Sequence, residues 1–164
     1  MEINLSEKCL IMTITIICAD KSHKELYIPL QNNSISQEDI INNCSKNDVV
    51  YITIPIGVTE IGPSSFSKCT SLTSVTIPEG VTTIGERSFE GCNSLASITL
   101  PKGVTTIGER VFIDCPSLAS ITLPEGVTTI GWGAFQDCTS LASITLPDGV
   151  TTIEDLAFSG CTSL

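Results

Sequence analysis

The stretch LASITLPKGVTTIGERVFIDCPSL, residues 95–118, decides how the whole chain is read. Ser97-Ile98-Thr99-Leu100 alternates polar and apolar side chains, includes β-branched residues and stops at Pro101. That is the pattern of a half-buried strand, closed by a residue that has no N–H to give to a ladder. Pro101-Lys102-Gly103 then turns the chain, Val104 and Ile107 point inward around Thr105 and Thr106, and Gly108 permits a second bend. Phe112, Cys115 and Leu118 follow at three-residue intervals. This spacing predicts a short helical or 3₁₀ turn with one buried side.

The frame recurs. Pro55, Pro78, Pro101, Pro124 and Pro147 are spaced by 23 residues, as are Gly57, Gly80, Gly103, Gly126 and Gly149. Phe66, Phe89, Phe112, Phe135 and Phe158 keep the period and are all the Phe in the chain; Cys69, Cys92, Cys115, Cys138 and Cys161 keep it too, as do Leu72, Leu95, Leu118, Leu141 and Leu164. Residues 78–100 and 101–123 differ only at Glu79/Lys102, Ser88/Val111, Glu90/Ile113, Gly91/Asp114 and Asn93/Pro116. A unit this short cannot bury a core alone, so successive units must stack and share internal columns of like side chains. The fold class is therefore a repeat solenoid.

From residue 52 to 164 the pattern LxxIxLPxGVxxIGxxxFxxCxxL resembles the BspA-like leucine-rich repeats, also called the Treponema pallidum type. The resemblance implies a right-handed leucine-rich repeat superhelix, mostly short parallel strands joined by short helical or 3₁₀ turns. It implies a binding surface, often displayed on cells, and carries over no catalytic residue and no cofactor. Glu154 departs from the pattern, standing where Gly62, Gly85, Gly108 and Gly131 make the second bend, which puts the geometry of that last turn in question.

Residues 1–51 are expected to form a divergent N-terminal cap, a strand plus a degenerate repeat, because residues 1–50 lack Phe and Gly. Met12-Thr13-Ile14-Thr15-Ile16 alternates as a capping strand would, and residues 1–25 are expected to supply the outermost strand. Residues 26–51 read as a repeat of 26, with Ile40 in the Phe position and Cys44 near the Cys position. A separate small domain is the alternative. The repeats run to Leu164 without a divergent polar cap, so an open end of the core calls for further chain or for self-association. The apolar run Cys9 to Ala19 is preceded by Glu2, Glu7 and Lys8, which argues against a cleavable leader. That favours an intracellular location, whereas the family resemblance points to a cell surface. Sequons at Asn32 and Asn43 would count only after secretion.

A net charge of −10 over 164 residues is the wrong sign for a phosphate backbone or an anionic bilayer, and no apolar run is long enough for a membrane span. A single histidine, His23, leaves little for His-based catalysis or a zinc site. The cysteine column is expected to be buried reduced thiol: stacked side chains project in parallel, the wrong orientation for a disulfide, and no CxxC is present. A Cys9–Cys18 pair stays open. The phenylalanine column reads as a structural spine. The carboxylates of Glu86, Glu109, Glu154 and Asp155 fall near one angular position, but Trp132 interrupts them, which favours a solvated face over a hydrolase.

Recognition should reside where the repeat is not fixed. The candidates for contact with a protein partner are Lys102 after the proline, and Glu86, Arg87, Glu109, Arg110 and Trp132 after the second bend. Trp132 is singled out because tryptophan is enriched in binding hot spots; packing over its own loop beside Gly133 is the structural alternative. The uniform Ser-x-Thr face of Ser97/Thr99, Ser120/Thr122 and Ser143/Thr145 also admits an ice-binding array, although Thr is simply a good residue for a solvated strand. The reading is a non-enzymatic protein-interaction module needing no cofactor, with a cell-surface adhesin fragment or a structural spacer as alternatives.

Overall fold

The computed structural model describes residues 11–19, 23–29, 33–36, 38 and 45–164. Ile40, Cys9, Cys44 and the sequon residues Asn32 and Asn43 lie outside them. Each coil contributes two short strands and a string of turns. On the first side, β4 (Val49–Thr53) pairs in parallel with β6 (Ser74–Thr76), and β8 (Ser97–Thr99), β10 (Ser120–Thr122) and β12 (Ser143–Thr145) form a second parallel sheet. On the second side, β3 (Ser34–Ile35), β5 (Glu60–Ile61) and β7 (Thr83–Ile84) form one sheet, and β9 (Thr106–Ile107), β11 (Thr129–Ile130) and β13 (Thr152–Ile153) another. The register sets Ser97, Ser120 and Ser143 side by side, so one coil's side chains repeat on the next.

The third side is where a helical or 3₁₀ turn is expected, and its hydrogen bonding shows why no helix forms there. Ser65, Ser67 and Cys69 donate three residues back, as in 3₁₀ geometry, but the alternate N–H groups of Ser64, Phe66 and Lys68 donate instead to Glu86, Ser88 and Glu90 one coil on. Two left-handed residues per coil turn those amides along the stack: Ser64 and Lys68 at φ 55° and 62°, Arg110 and Asp114 at 52° and 55°. The buried turn backbone is thus satisfied between coils and not within a helix. The one 3₁₀ helix among the described residues is Lys46–Asp48.

The columns meet in the middle. Phe66, Phe89, Phe112 and Phe135 are fully buried, and neighbouring rings from Phe66 to Phe158 stack with centroids 5.2 to 5.4 Å apart. From Cys92 onward the thiols point at the coil before them: Cys92 Sγ donates to the Phe66 carbonyl at 3.3 Å, and Cys115, Cys138 and Cys161 repeat the bond at 3.1 Å to Phe89, Phe112 and Phe135. Burial pushes the Cys69 thiol up to about 11 and the Cys115 thiol up to about 12, and raises Cys92 and Cys138 in the same sense. Such thiols are donors and poor nucleophiles.

One column position is imperfect. The Ser65 hydroxyl donates to the Ile35 and Gly62 carbonyls, whereas the hydroxyl of Ser88, one coil on and equally buried, has no hydrogen-bond partner. Val111 and Ala134 fill the same place in later coils. A buried hydroxyl without a partner costs about 1–3 kcal/mol, so Ser88→Ala is expected to raise the unfolding free energy by roughly 1 kcal/mol. Urea denaturation reads this as a higher midpoint, and a lower midpoint would contradict it.

At the N-terminal end the polarity reverses. β1 (Ile11–Cys18) lies antiparallel against β4, and β2 (His23–Pro29) lies antiparallel outside β1. Among the described residues the outermost strand is β2, which runs past residue 25, while β1 puts Ile14, Ile16 and Cys18 over the core beside Ile52. Residues 26–29, assigned from the sequence to the degenerate repeat, belong to this hairpin. Ile35 pairs with Ile61, twenty-six positions on, so the extra length of the first coil lies after β3. At the opposite end the last coil keeps the geometry of the others despite Glu154: Leu156 takes φ 59°, and Glu154 donates to the Ile130 carbonyl at 2.9 Å. That coil leaves Ile153 at 50%, Leu156 at 47% and Leu164 at 56% exposed.

Candidate interaction surface

Two surfaces carry residues that differ between coils. The first is the trough at the C-terminal ends of the strands. The alternation Ser-Ile-Thr-Leu-Pro buries Ile98, Leu100, Ile121 and Leu123 and exposes Ser97, Thr99, Ser120 and Thr122. A cleft of about 330 Å³ runs between Ser74–Ile77 and Ser97–Pro101 and reaches Glu79. A second, of about 370 Å³, continues it from Glu79 across Leu100 and Leu123 to Glu125. The floor is leucine and proline, and the rim is hydroxyl with Glu79, Lys102 and Glu125. Glu79 reaches across one coil, where its Oε2 accepts the Lys102 N–H at 3.3 Å.

The second surface is the bend after β7, β9 and β11, where five of the six candidate contact residues fall. Here charge is matched locally: Arg87 lies 3.4 Å from Glu86 and 3.9 Å from Glu90, and Arg110 lies 3.1 Å from Glu109. Exposed pairs of this kind add about 0–1 kcal/mol each. Trp132 is half-buried, and its ring meets the coil before it: the Arg110 guanidinium sits 4.2 Å from the ring centroid, while the Trp132 backbone N–H donates to Glu154 Oε2 at 2.8 Å. The ring thus packs on Arg110 of the neighbouring coil. Glu86, Glu109 and their arginines form ion pairs within the bend, and among the described residues no three His, Cys, Asp or Glu side chains are grouped to hold a metal.

Lys102 is separate from these five; it belongs to the trough. In the sequence Lys102 stands out after its proline, but Leu100, Leu123, Glu79 and Glu125 do not read as one surface with it. Leu before Pro reads as core in a single coil, and only stacking shows that two such leucines make the floor of an open groove. The threonines of the second side have another use: Thr128 Oγ1 donates to the Thr105 carbonyl and Thr151 Oγ1 to the Thr128 carbonyl, both at 3.3 Å, stitching coil to coil. The Ser-x-Thr hydroxyls on β8, β10 and β12 stay exposed.

The family model for the BspA-type leucine-rich repeat region matches residues 38–164 in six copies. Among solved structures, a leucine-rich cell surface protein from Faecalibacterium prausnitzii is similar at 40% identity over 70% of this chain, with a TM-score of 0.67. The leucine-rich repeat protein of T. pallidum is similar at 27% identity over 97% of this chain and 68% of its own, with a TM-score of 0.70. A leucine-rich repeat protein from Bacteroides ovatus is similar at 30% identity over 96% of this chain and 40% of its own, with a TM-score of 0.67. The chain spans 30% of the length of the Faecalibacterium protein. No curated protein matched.

Proposed function

The chain belongs to the BspA-type leucine-rich repeat family, and from that premise we propose that it is a non-enzymatic protein-interaction module whose recognition surface is the strand-side trough. The observation that carries this reading is the groove itself: a floor lined by Leu100, Leu123 and Pro124, continuous over successive coils, between hydroxyl rims and the charged Glu79, Lys102 and Glu125. Extended solenoid surfaces bind by summing contacts over successive repeats. With Glu79 and Glu125 on the rim and a net charge of −10, the partner segment is neutral to basic. Presentation on a cell surface, as an adhesin does, is the more specific version of the same reading and draws on the printed description of the Faecalibacterium protein.

The test is selection from a displayed library of extended peptides on the immobilised chain. Selected sequences should be apolar with basic residues, and Leu123→Arg should weaken them by at least about tenfold, the equivalent of 1.4 kcal/mol. Trp132→Ala should leave them within about twofold. Loss on Trp132→Ala with indifference to Leu123→Arg would move recognition to the bend; indifference to both would leave a spacer.

A further inference from the structure

We infer that the solenoid is hinged between the coil of residues 73–95 and the coil of residues 96–118. Both strand ladders stop at this one joint. The first-side sheets are β2-β1-β4-β6 and β8-β10-β12, the second-side sheets β3-β5-β7 and β9-β11-β13, so no ladder joins β6 to β8 or β7 to β9. Three axial bonds seen at neighbouring joints are missing with them. Ala119 donates to Ala96, Thr128 to Thr105 and Gly131 to Ile107, at 3.0, 2.9 and 2.7 Å. Their counterparts Ala96, Thr105 and Gly108 donate to no backbone carbonyl one coil back.

The third side of the same joint is intact. Arg87, Phe89 and Gly91 donate to Glu109, Val111 and Ile113 at 3.1, 3.0 and 2.9 Å, and the Phe89 and Phe112 rings stack at 5.4 Å. One stiff edge opposite two open ones is the geometry of a hinge whose axis follows the turn column. Motion about it widens or narrows the cleft between β6 and β8, which carries the first part of the trough. Across the mouth, Glu79 accepting from the Lys102 N–H is a side-chain bond bridging the joint.

Packing reports the opening at the second bend and not at the first, where a Cβ on Gly103 would lie 2.9 Å from Thr82 Cγ2 across the same joint. A Cβ built on Gly85 would lie 2.6 Å from the Pro63 nitrogen and one on Gly131 2.9 Å from the Gly108 carbonyl carbon, but one on Gly108 would meet nothing closer than the Ile84 oxygen at 3.5 Å. The sequence carries a cause. The residue before proline is Ile54 and Ile77 up to the joint and Leu100, Leu123 and Leu146 beyond it. Isoleucine branches at Cβ and leucine at Cγ, so the column changes shape at this step. Ile77 is only partly buried, whereas Ile54 and Leu100 are buried.

The hinge does not depend on the binding reading. Its test is residue-resolved amide exchange, for which the repeat supplies internal standards: Leu95-Ala96 and Leu118-Ala119, Val104-Thr105 and Val127-Thr128, Ile107-Gly108 and Ile130-Gly131 are the same dipeptides with the same intrinsic rates. Ala96, Thr105 and Gly108 should exchange at least about tenfold faster than Ala119, Thr128 and Gly131, reflecting local opening at the joint. Equal rates in all three pairs would overturn the hinge. Paired glycine variants give an independent reading: Gly131→Ala should lower Tm by several degrees and Gly108→Ala should leave it nearly unchanged, whereas equal losses would contradict a gap at this joint.

Discussion

Phe112→Ala is expected to lower the unfolding free energy by about 3–5 kcal/mol, the cost of deleting a fully buried aromatic ring and leaving its cavity. Phe112 has no exposed surface and lies between Phe89 and Phe135, at 5.4 Å from each. Its backbone is tied as well, donating to Ala134 one coil on, so the surroundings cannot collapse freely into the hole. Phe158, at the end of the column and only partly buried, is the control. Phe158→Ala should cost less than half as much, because its outer side faces no further ring. Denaturant unfolding of both variants reads the difference. Similar losses would mean that the rings are not a continuous stack.

Alkaline unfolding is the second large effect. A thiol whose folded pKa is raised stays protonated in the fold after it has ionised in the unfolded chain, so its contribution to stability is whole below the unfolded value of 9.0 and lost as pH rises through the folded value. Cys69 at about 11 and Cys115 at about 12 set the window from pH 9 upward. Within it each fully buried thiol removes up to about 1.4 kcal/mol per pH unit. Urea midpoints, measured in reductant, should be flat to about pH 9 and then fall steeply. Cys115→Ser keeps a donor for the Phe89 carbonyl and abolishes the ionisation, so its decline should be shallower. A flat profile to pH 11, or a Cys115→Ser profile parallel to the parent, would show that these thiols are not ionising from a buried column.

The columns were legible because periodicity reports burial directly: a side chain that recurs every 23 residues in a stack must meet itself, and Phe, Cys and Leu do so from Phe66 to Leu141. Turn backbone was less legible. Spacing by three suggests a helical turn, but whether an amide bonds within its coil or to the next depends on left-handed residues such as Arg110 and Asp114, and neither side chain announces that conformation. The antiparallel entry of β1 was hidden for a similar reason, since alternation in Ile14-Thr15-Ile16 marks a strand without its direction. Ser88 and Val111 show the reverse case, one column position tolerating a hydroxyl without a partner that sequence identity elsewhere in the coil gives no hint of.

The candidate site was legible only in part. Trp132 stood out as an aromatic among charges, yet Arg110 stacked on its ring draws it into the bend. Glu79 and Lys102 were visible as a difference between coils, while the floor beside them is made of repeated residues and so looks like scaffold. Variation marks a rim better than it marks a floor.

The central claim is that the columns hold the coils together while the trough recognises. The most direct measurement is a residue-by-residue map of amide shifts as a selected basic, apolar peptide is titrated into the chain. Perturbations centred on Thr99 to Lys102 and Thr122 to Glu125 are the predicted result. Perturbations confined to Glu86 to Glu90, Glu109 to Asp114 and Trp132 to Asp137, with the trough silent, would contradict it.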